Sequence, residues 1–173
     1  MFTILTVNII PGEKMNTYTE NDSKLNPLDA LREEHAEIRT VLSKFGNLLK
    51  KIPNGVTDSE LNEISEYLDK DIEVHFKREE DALFPVLGNY IGIETGPINV
   101  MLIEHNSCRE LSKNFKKKIE DKNIKLIASD GKALIELLSE HEDKEDGILF
   151  HIAEMQLGQD EKQDIMKKMI TIN

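Results

Sequence analysis

The sequence predicts an all-α fold, an up-down-up-down antiparallel four-helix bundle with an N-terminal arm and a short C-terminal helix. Three observations lead there. Charged residues make up 32% of the 173-residue chain and aromatics only 5%, with no Trp, a composition that favours helix over sheet. Apolar residues recur at spacings of three and four along four long segments. Short breaks containing Pro, Gly or Asn separate the segments, and short connections favour antiparallel neighbours.

Each element has its own signals. Asn26 before Pro27 reads as an N-cap with proline at the first helical position. From there Leu28, Leu31, His35, Ile38, Leu42, Phe45 and Leu49 form one face, and Pro53-Asn54-Gly55 ends it. Thr57 with Glu60 makes a capping box for the second helix, whose stripe is Leu61, Ile64, Leu68, Ile72, His75, Glu79 and Leu83. Pro85 and Gly88 are expected to bend or stop it. Pro97 opens the third, with Met101, His105, Cys108, Leu111 or Ser112, and Phe115 inward. After a polar break at Asp121 to Asn123, the fourth carries Leu134, Leu138, His141, Glu145, Ile148, Ile152 and Met155, and Gly158 closes it. Ile165, Met166, Met169 and Ile170 mark a short helix that packs across the bundle.

One domain fits this length. The expected division is an arm and linker over 1–26, the bundle over 27–157 and the short helix over 158–173. The apolar residues 1–10 lack a basic flank and run into Pro11 and Gly12, so an extended arm is expected rather than a signal peptide. No stretch reaches the ~18–20 apolar residues that span a bilayer. A net charge of −11 disfavours nucleic acid and anionic membrane as partners. The basic cluster of Lys113 and Lys116 to Lys118 falls late in the third helix, where it complements the helix dipole. One cysteine allows no internal disulfide and suits a reducing, cytoplasmic location.

Polar residues interrupt the stripes in a repeat. Glu34-His35-x-x-Ile38-Arg39 is matched by Glu104-His105-x-x-Cys108-Arg109, 70 residues on. His75-x-x-x-Glu79-Glu80-x-x-Leu83-Phe84 is matched by His141-x-x-x-Glu145-Asp146-x-x-Leu149-Phe150, 66 residues on. A lone histidine on an apolar stripe is more often a core or capping residue than a ligand. Four histidines and two glutamates over all four helices are most simply explained by a cation among them, because a buried carboxylate without a partner is very unfavourable. In His-x-x-x-Glu both side chains face one way, a turn apart. Imidazole with carboxylate suits iron, manganese or zinc, and the absence of thiolate partners argues against a cysteine-type structural zinc site. Four nitrogens and two bidentate or bridging carboxylates are too many donors for one first-row ion, so His35, His75, Glu79, His105, His141 and Glu145 are read as ligands of two.

Glu34, Glu80, Glu104 and Asp146 rotate off the stripe and are read as surface charges in preference to partners of the histidines. His151, aligned with Pro85, is set outside the ligand group. Cys108 reads as a small buried hydrophobe, Met101 and Met155 as core residues, and nothing fixes whether Tyr67 and Tyr90 line a pocket.

These motifs resemble the hemerythrin-like, or HHE cation-binding, domain over about residues 27–157. The resemblance implies a four-helix bundle around a non-haem di-iron site. The four histidines would be terminal ligands, and Glu79 and Glu145 would bridge two iron ions that share an oxo or hydroxo bridge. Zinc, manganese or nickel are possible substitutes. The oxygen carriers of that family have His-x-x-x-His on the third helix, where this chain has Arg109, the counterpart of Arg39. They also place an aspartate five residues after the fourth-helix histidine, where this chain reads His-x-x-x-Glu. With one imidazole fewer, the resemblance implies a more open second iron and favours sensing, redox chemistry or iron handling over reversible oxygen carriage. Repair of iron–sulfur clusters is not expected, since residues 1–26 hold no cysteine.

The leading expectation is a protein that binds O2, NO or peroxide as sensor, scavenger or carrier. One alternative is a redox enzyme of peroxidase, oxidase or NO reductase type, working with an unidentified redox partner. The other is an interaction module with a structural metal.

Overall fold

The computed structural model describes residues 17–172, and all regular structure among them is helical. The expected extended arm at residues 1–10 lies outside the described residues. Helix α1 (Pro27–Lys51) starts where the side chain of Asn26 accepts the Leu28 N–H at 3.1 Å. Pro27 fills the first position, whose N–H has no helical partner anyway. A 3-10 turn at Ile52–Asn54 and Gly55, at φ 103°, end it. Helix α2 (Asp58–Lys77) opens on a capping box, in which the Thr57 N–H donates to Glu60 at 2.9 Å and the Glu60 N–H to Thr57 at 3.3 Å.

The second helix does not stop at Pro85 or Gly88. It passes through a π turn, Arg78–Leu83, into α3 (Phe84–Ile91), and ends at Gly92 with φ 78°. Pro85 is the second residue after the π turn, where the change of register already interrupts the regular ladder, so its missing N–H breaks little. Helices α4 (Pro97–Glu120) and α5 (Ile124–Lys144) follow. A second π turn, Glu145–Leu149, leads into α6 (Phe150–Gln156), and α7 (Gln159–Ile170) ends the described chain.

Cross-links set the relative directions of the long helices. Along α1, His35 meets Asp146, Arg39 meets Glu142, and Phe45 and Leu49 pack on Gly131, so α1 and α5 run oppositely. Likewise His105 meets Glu80, Arg109 meets Glu73 and Ser112 meets Asp69, so α4 runs against α2.

Two apolar cores result. One gathers Ile38, Phe45, Leu68, Phe76, Phe115 and Leu134 with their neighbours. The other gathers Leu28, Leu31, Leu83, Phe84, Phe150 and Ile165 with theirs, and α7 closes it with Met166 and Met169. The six candidate ligands lie along the helices between these two sets.

The fourth stripe departs from expectation beyond Glu145. Ile148 and Met155 are 56% and 63% exposed, while Leu149, Phe150, Ala153 and Leu157 are buried in their place. The π turn is the reason. It adds one residue to a turn, which rotates the following side chains by about 100° relative to an unbroken α-helix. The polar linker also holds a core residue. Tyr18 is buried in the second core and its hydroxyl donates to the Ala30 carbonyl at 3.1 Å. Among the described residues no helix is long and apolar enough to cross a membrane.

Candidate metal centre

Each long helical stretch delivers one histidine to the layer between the cores, and the two π turns begin at or beside the glutamates. His35, His75, Glu79, His105, His141 and Glu145 are all buried. They form two overlapping groups. His35, His75, Glu79 and Glu145 bring one donor atom each within 4.8 Å of one another, and so do Glu79, His105, His141 and Glu145. Glu79 reaches both, with Oε1 3.4 Å from His75 Nε2 and Oε2 3.2 Å from His105 Nε2. Glu145 Oε2 lies 3.3 Å from both His35 Nε2 and His141 Nε2. The structure thus brings together all six residues singled out in the sequence.

The histidines are oriented from behind. Each Nδ1 faces a carboxylate: His35 to Asp146 at 2.9 Å, His75 to Glu34 at 2.8 Å, His105 to Glu80 at 2.7 Å and His141 to Glu104 at 3.1 Å. A carboxylate can only accept, so Nδ1 carries the hydrogen and Nε2 is turned inward. This corrects the surface reading of those four acids. Glu34 is fully buried, and all four fix a ring. A signal was present in the sequence, since the acids recur in both halves of the repeat, one residue before His35 and His105 and five residues after His75 and His141.

Arg39 and Arg109 mirror one another as the repeat suggests. Arg39 reaches Asp146 at 2.7 Å and Glu142 at 3.1 Å, and Arg109 reaches Glu80 at 2.9 Å and Glu73 at 2.8 Å. Asp146 stands five residues after His141, the offset used by the oxygen carriers. Its carboxylate is taken up by His35 Nδ1 and Arg39, and Glu145 faces the interior instead.

Aromatic rings wall the layer. Phe150 stacks on His35 with centroids 5.3 Å apart, and its repeat counterpart Phe84 stacks on His105 at 5.8 Å. Phe76 also stacks on His105, with centroids 3.8 Å apart. His151 is exposed, with only a 3.9 Å approach to Glu154, and takes no part. Tyr90 is also exposed and donates to Glu161 at 2.7 Å, while Tyr67 is buried in the first core.

The inward faces leave an electrostatic problem that a cation solves. The Nε2 atoms meet in pairs, 3.2 Å apart for His35 and His75 and 3.1 Å for His105 and His141. Two bare nitrogen lone pairs at that distance repel unless a proton or a cation lies between them. Two nitrogens bound about 2.1 Å from one ion, at right angles, stand about 3 Å apart, so the spacing suits a shared ion. The four carboxylate oxygens of Glu79 and Glu145 are buried with no hydrogen-bond partner. Burial, together with the Glu145 carboxylate, pushes Glu79 well above the usual carboxylate range. Burial also opposes ionisation of Glu145, but His141 and His35 outweigh it and hold that carboxyl low. His35 is destabilised as a cation by burial, yet its hydrogen bond to Asp146 and the nearby Glu145 carboxylate raise it to about 9. Burial lowers His75, and lowers His105 to about 4. Metal ions and protons therefore compete for the same donors.

Cys108 stands apart from the donor set. It is buried in the first core, and burial pushes its thiol up to about 12. Iodoacetamide at pH 8 should leave native protein unmodified and label Cys108 only after unfolding. The linked stability term is fully present below the ordinary thiol pKa of about 8.5 and fades as the pH rises towards 12. Rapid labelling of folded protein would contradict the burial.

Fold and site together define a helical bundle with a buried carboxylate–imidazole layer fitted to hold metal cations. A family model described as the hemerythrin HHE cation binding domain matches residues 26–153, and the chain belongs to that family. No curated protein and no solved structure matches the chain in the same comparisons.

Proposed function

We propose that this chain is a di-iron protein that takes up O2, NO or peroxide as a sensor, scavenger or carrier. The observation that carries the reading is the set of four unpartnered carboxylate oxygens facing four inward Nε2 atoms. In this reading an up-down-up-down antiparallel bundle over 27–157 encloses two irons joined by an oxo or hydroxo bridge. His35 and His75 hold one, His105 and His141 hold the other, and Glu79 and Glu145 span both. Bound iron would supply open coordination positions and one-electron redox chemistry.

The remaining work falls to the chain. Each group of donors offers two nitrogens and two oxygens, short of the six that an octahedral ion takes, so positions are left for a small ligand. Phe76, Phe84 and Phe150 exclude bulk water from the histidine faces. A small cavity beside Phe76 is lined by Leu68, Ile72, Leu134 and Leu138 together with Glu73, Arg109 and Ser112, and has room for no more than a very small molecule. The single cysteine and the chain's acidity agree with a cytoplasmic protein that binds neither nucleic acid nor membrane.

Anaerobic reconstitution with ferrous iron followed by exposure to air is expected to give two irons per chain. The near-ultraviolet charge-transfer absorption of bridged ferric ions should accompany them. Absence of both overturns the reading. Sustained consumption of peroxide or NO with an added reductant would move the assignment to an enzyme.

A further inference from the structure

The two metal positions share their glutamates but differ in what stands behind their histidines. His75 and His141 occupy the same place in the repeat, and each donates Nδ1–H to a glutamate, Glu34 and Glu104. Behind each glutamate is a cation three residues after the histidine, Arg78 in one half and Lys144 in the other. Their surroundings are unlike. Arg78 is 1% exposed and its Nη1 lies 2.6 Å from Glu34 Oε1. Its Nη2 donates to the Ile172 carbonyl at 3.2 Å, and its guanidinium lies 4.7 Å from the centre of the Tyr18 ring. The segment before α1, α1 itself, the first π turn and the end of the described chain therefore converge on one guanidinium. Lys144 meets Glu104 at 2.5 Å, but its side chain is 39% exposed, where water weakens the pair and the flexible ammonium fixes no plane.

We propose that Arg78 is a positioning residue that makes the His35–His75 position the tighter of the two and the first to fill. A buried Glu34 held by both His75 and Arg78 keeps the His75 ring in one orientation with Nε2 turned inward. Partners of this kind are typically worth about 10–100-fold in metal affinity. Glu104 and its solvated lysine hold His141 less firmly. The inference rests on the two-position reading above and adds an order of filling to it.

The test uses the full chain, stripped of metal and titrated with Zn2+, with its five histidine rings followed by carbon–proton NMR. Exposed His151 serves as the internal reference. At one equivalent the ring signals of His35 and His75 should reach their bound positions while those of His105 and His141 stay put, the latter moving with the second equivalent. The reverse order, or four rings moving together, overturns the inference and leaves two-metal binding standing. No movement of any of the four at any ratio refutes the two-position reading itself. Chelator competition gives the second measurement. Arg78→Gln should weaken the first step by about tenfold or more, with Arg78→Lys recovering part of the loss, while Lys144→Gln leaves the first step unchanged. Equal weakening of the first step by Arg78→Gln and Lys144→Gln also counts against it.

Discussion

Glu79→Leu is expected to strip metal from both positions and yet make the metal-free chain more stable. Glu79 gives one oxygen towards His75 and the other towards His105, so its loss removes a donor from each group at once. The fall in affinity should exceed the ~10–100-fold typical of losing an outer partner, and it should appear at both positions. Glu80→Gln is the contrast, because Glu80 touches only His105 Nδ1 and Arg109, and its effect should be confined to one position. In chelator the order reverses. Both oxygens of Glu79 are buried and unpartnered, and burial already pushes the group well above its ordinary range. A buried polar group left without a hydrogen-bond partner costs about 1–3 kcal/mol, and a well-packed apolar side chain does not carry that cost. At about 2–4 °C per kcal/mol for a chain of this size, thermal melts in chelator should show it directly. A Glu79→Leu protein that keeps two tightly bound ions would remove Glu79 from the donor set.

Removing the metal from the unaltered chain should lower its melting temperature by about 10 °C. Saturating a single position at about a thousand times its dissociation constant stabilises the folded state by about 4 kcal/mol. The donors exist as a set only when four helical stretches are packed, so unfolded chain holds metal far less well. Calorimetry with and without chelator checks the size of the shift, and a melt unchanged by chelation argues against any bound cation. The same samples separate an open site from a purely structural one. Azide or NO added to iron-loaded protein should change the optical spectrum if coordination positions are free, and should change nothing if the shell is closed.

Most of the fold could be read from the sequence because helical periodicity is local. The stripe from Leu28 to Leu49 is buried throughout, and Asn26 and Thr57 cap where their chemistry suggests. The inward direction of the six polar residues was equally legible, since each sits in register with apolar neighbours that must face a core. What escaped depends on contacts between segments. Glu34, Glu80, Glu104 and Asp146 lie off their own stripes and earn their places only through a histidine on another helix. Arg78 was missed for the same reason, because its carboxylate, its carbonyl and its aromatic partner come from distant parts of the chain. The misplacing of Ile148 and Met155 has a different origin. A pattern of threes and fours assumes constant pitch, and nothing in the run from Glu145 to Leu149 announces a wider turn.

Those wide turns carry a consequence for how such a chain can change over generations. Each gives the helix one residue more than its height requires, and that surplus lets Glu145 face the histidine layer while Phe150 still turns back onto His35. Loss of a single codon anywhere between 146 and 148 would restore ordinary pitch and swing Leu149 and Phe150 away from the second core. All six donors would survive such a deletion with their identities intact. A comparison that scores only the six donors would pass the altered chain as competent, although the ring stacked on His35 had gone.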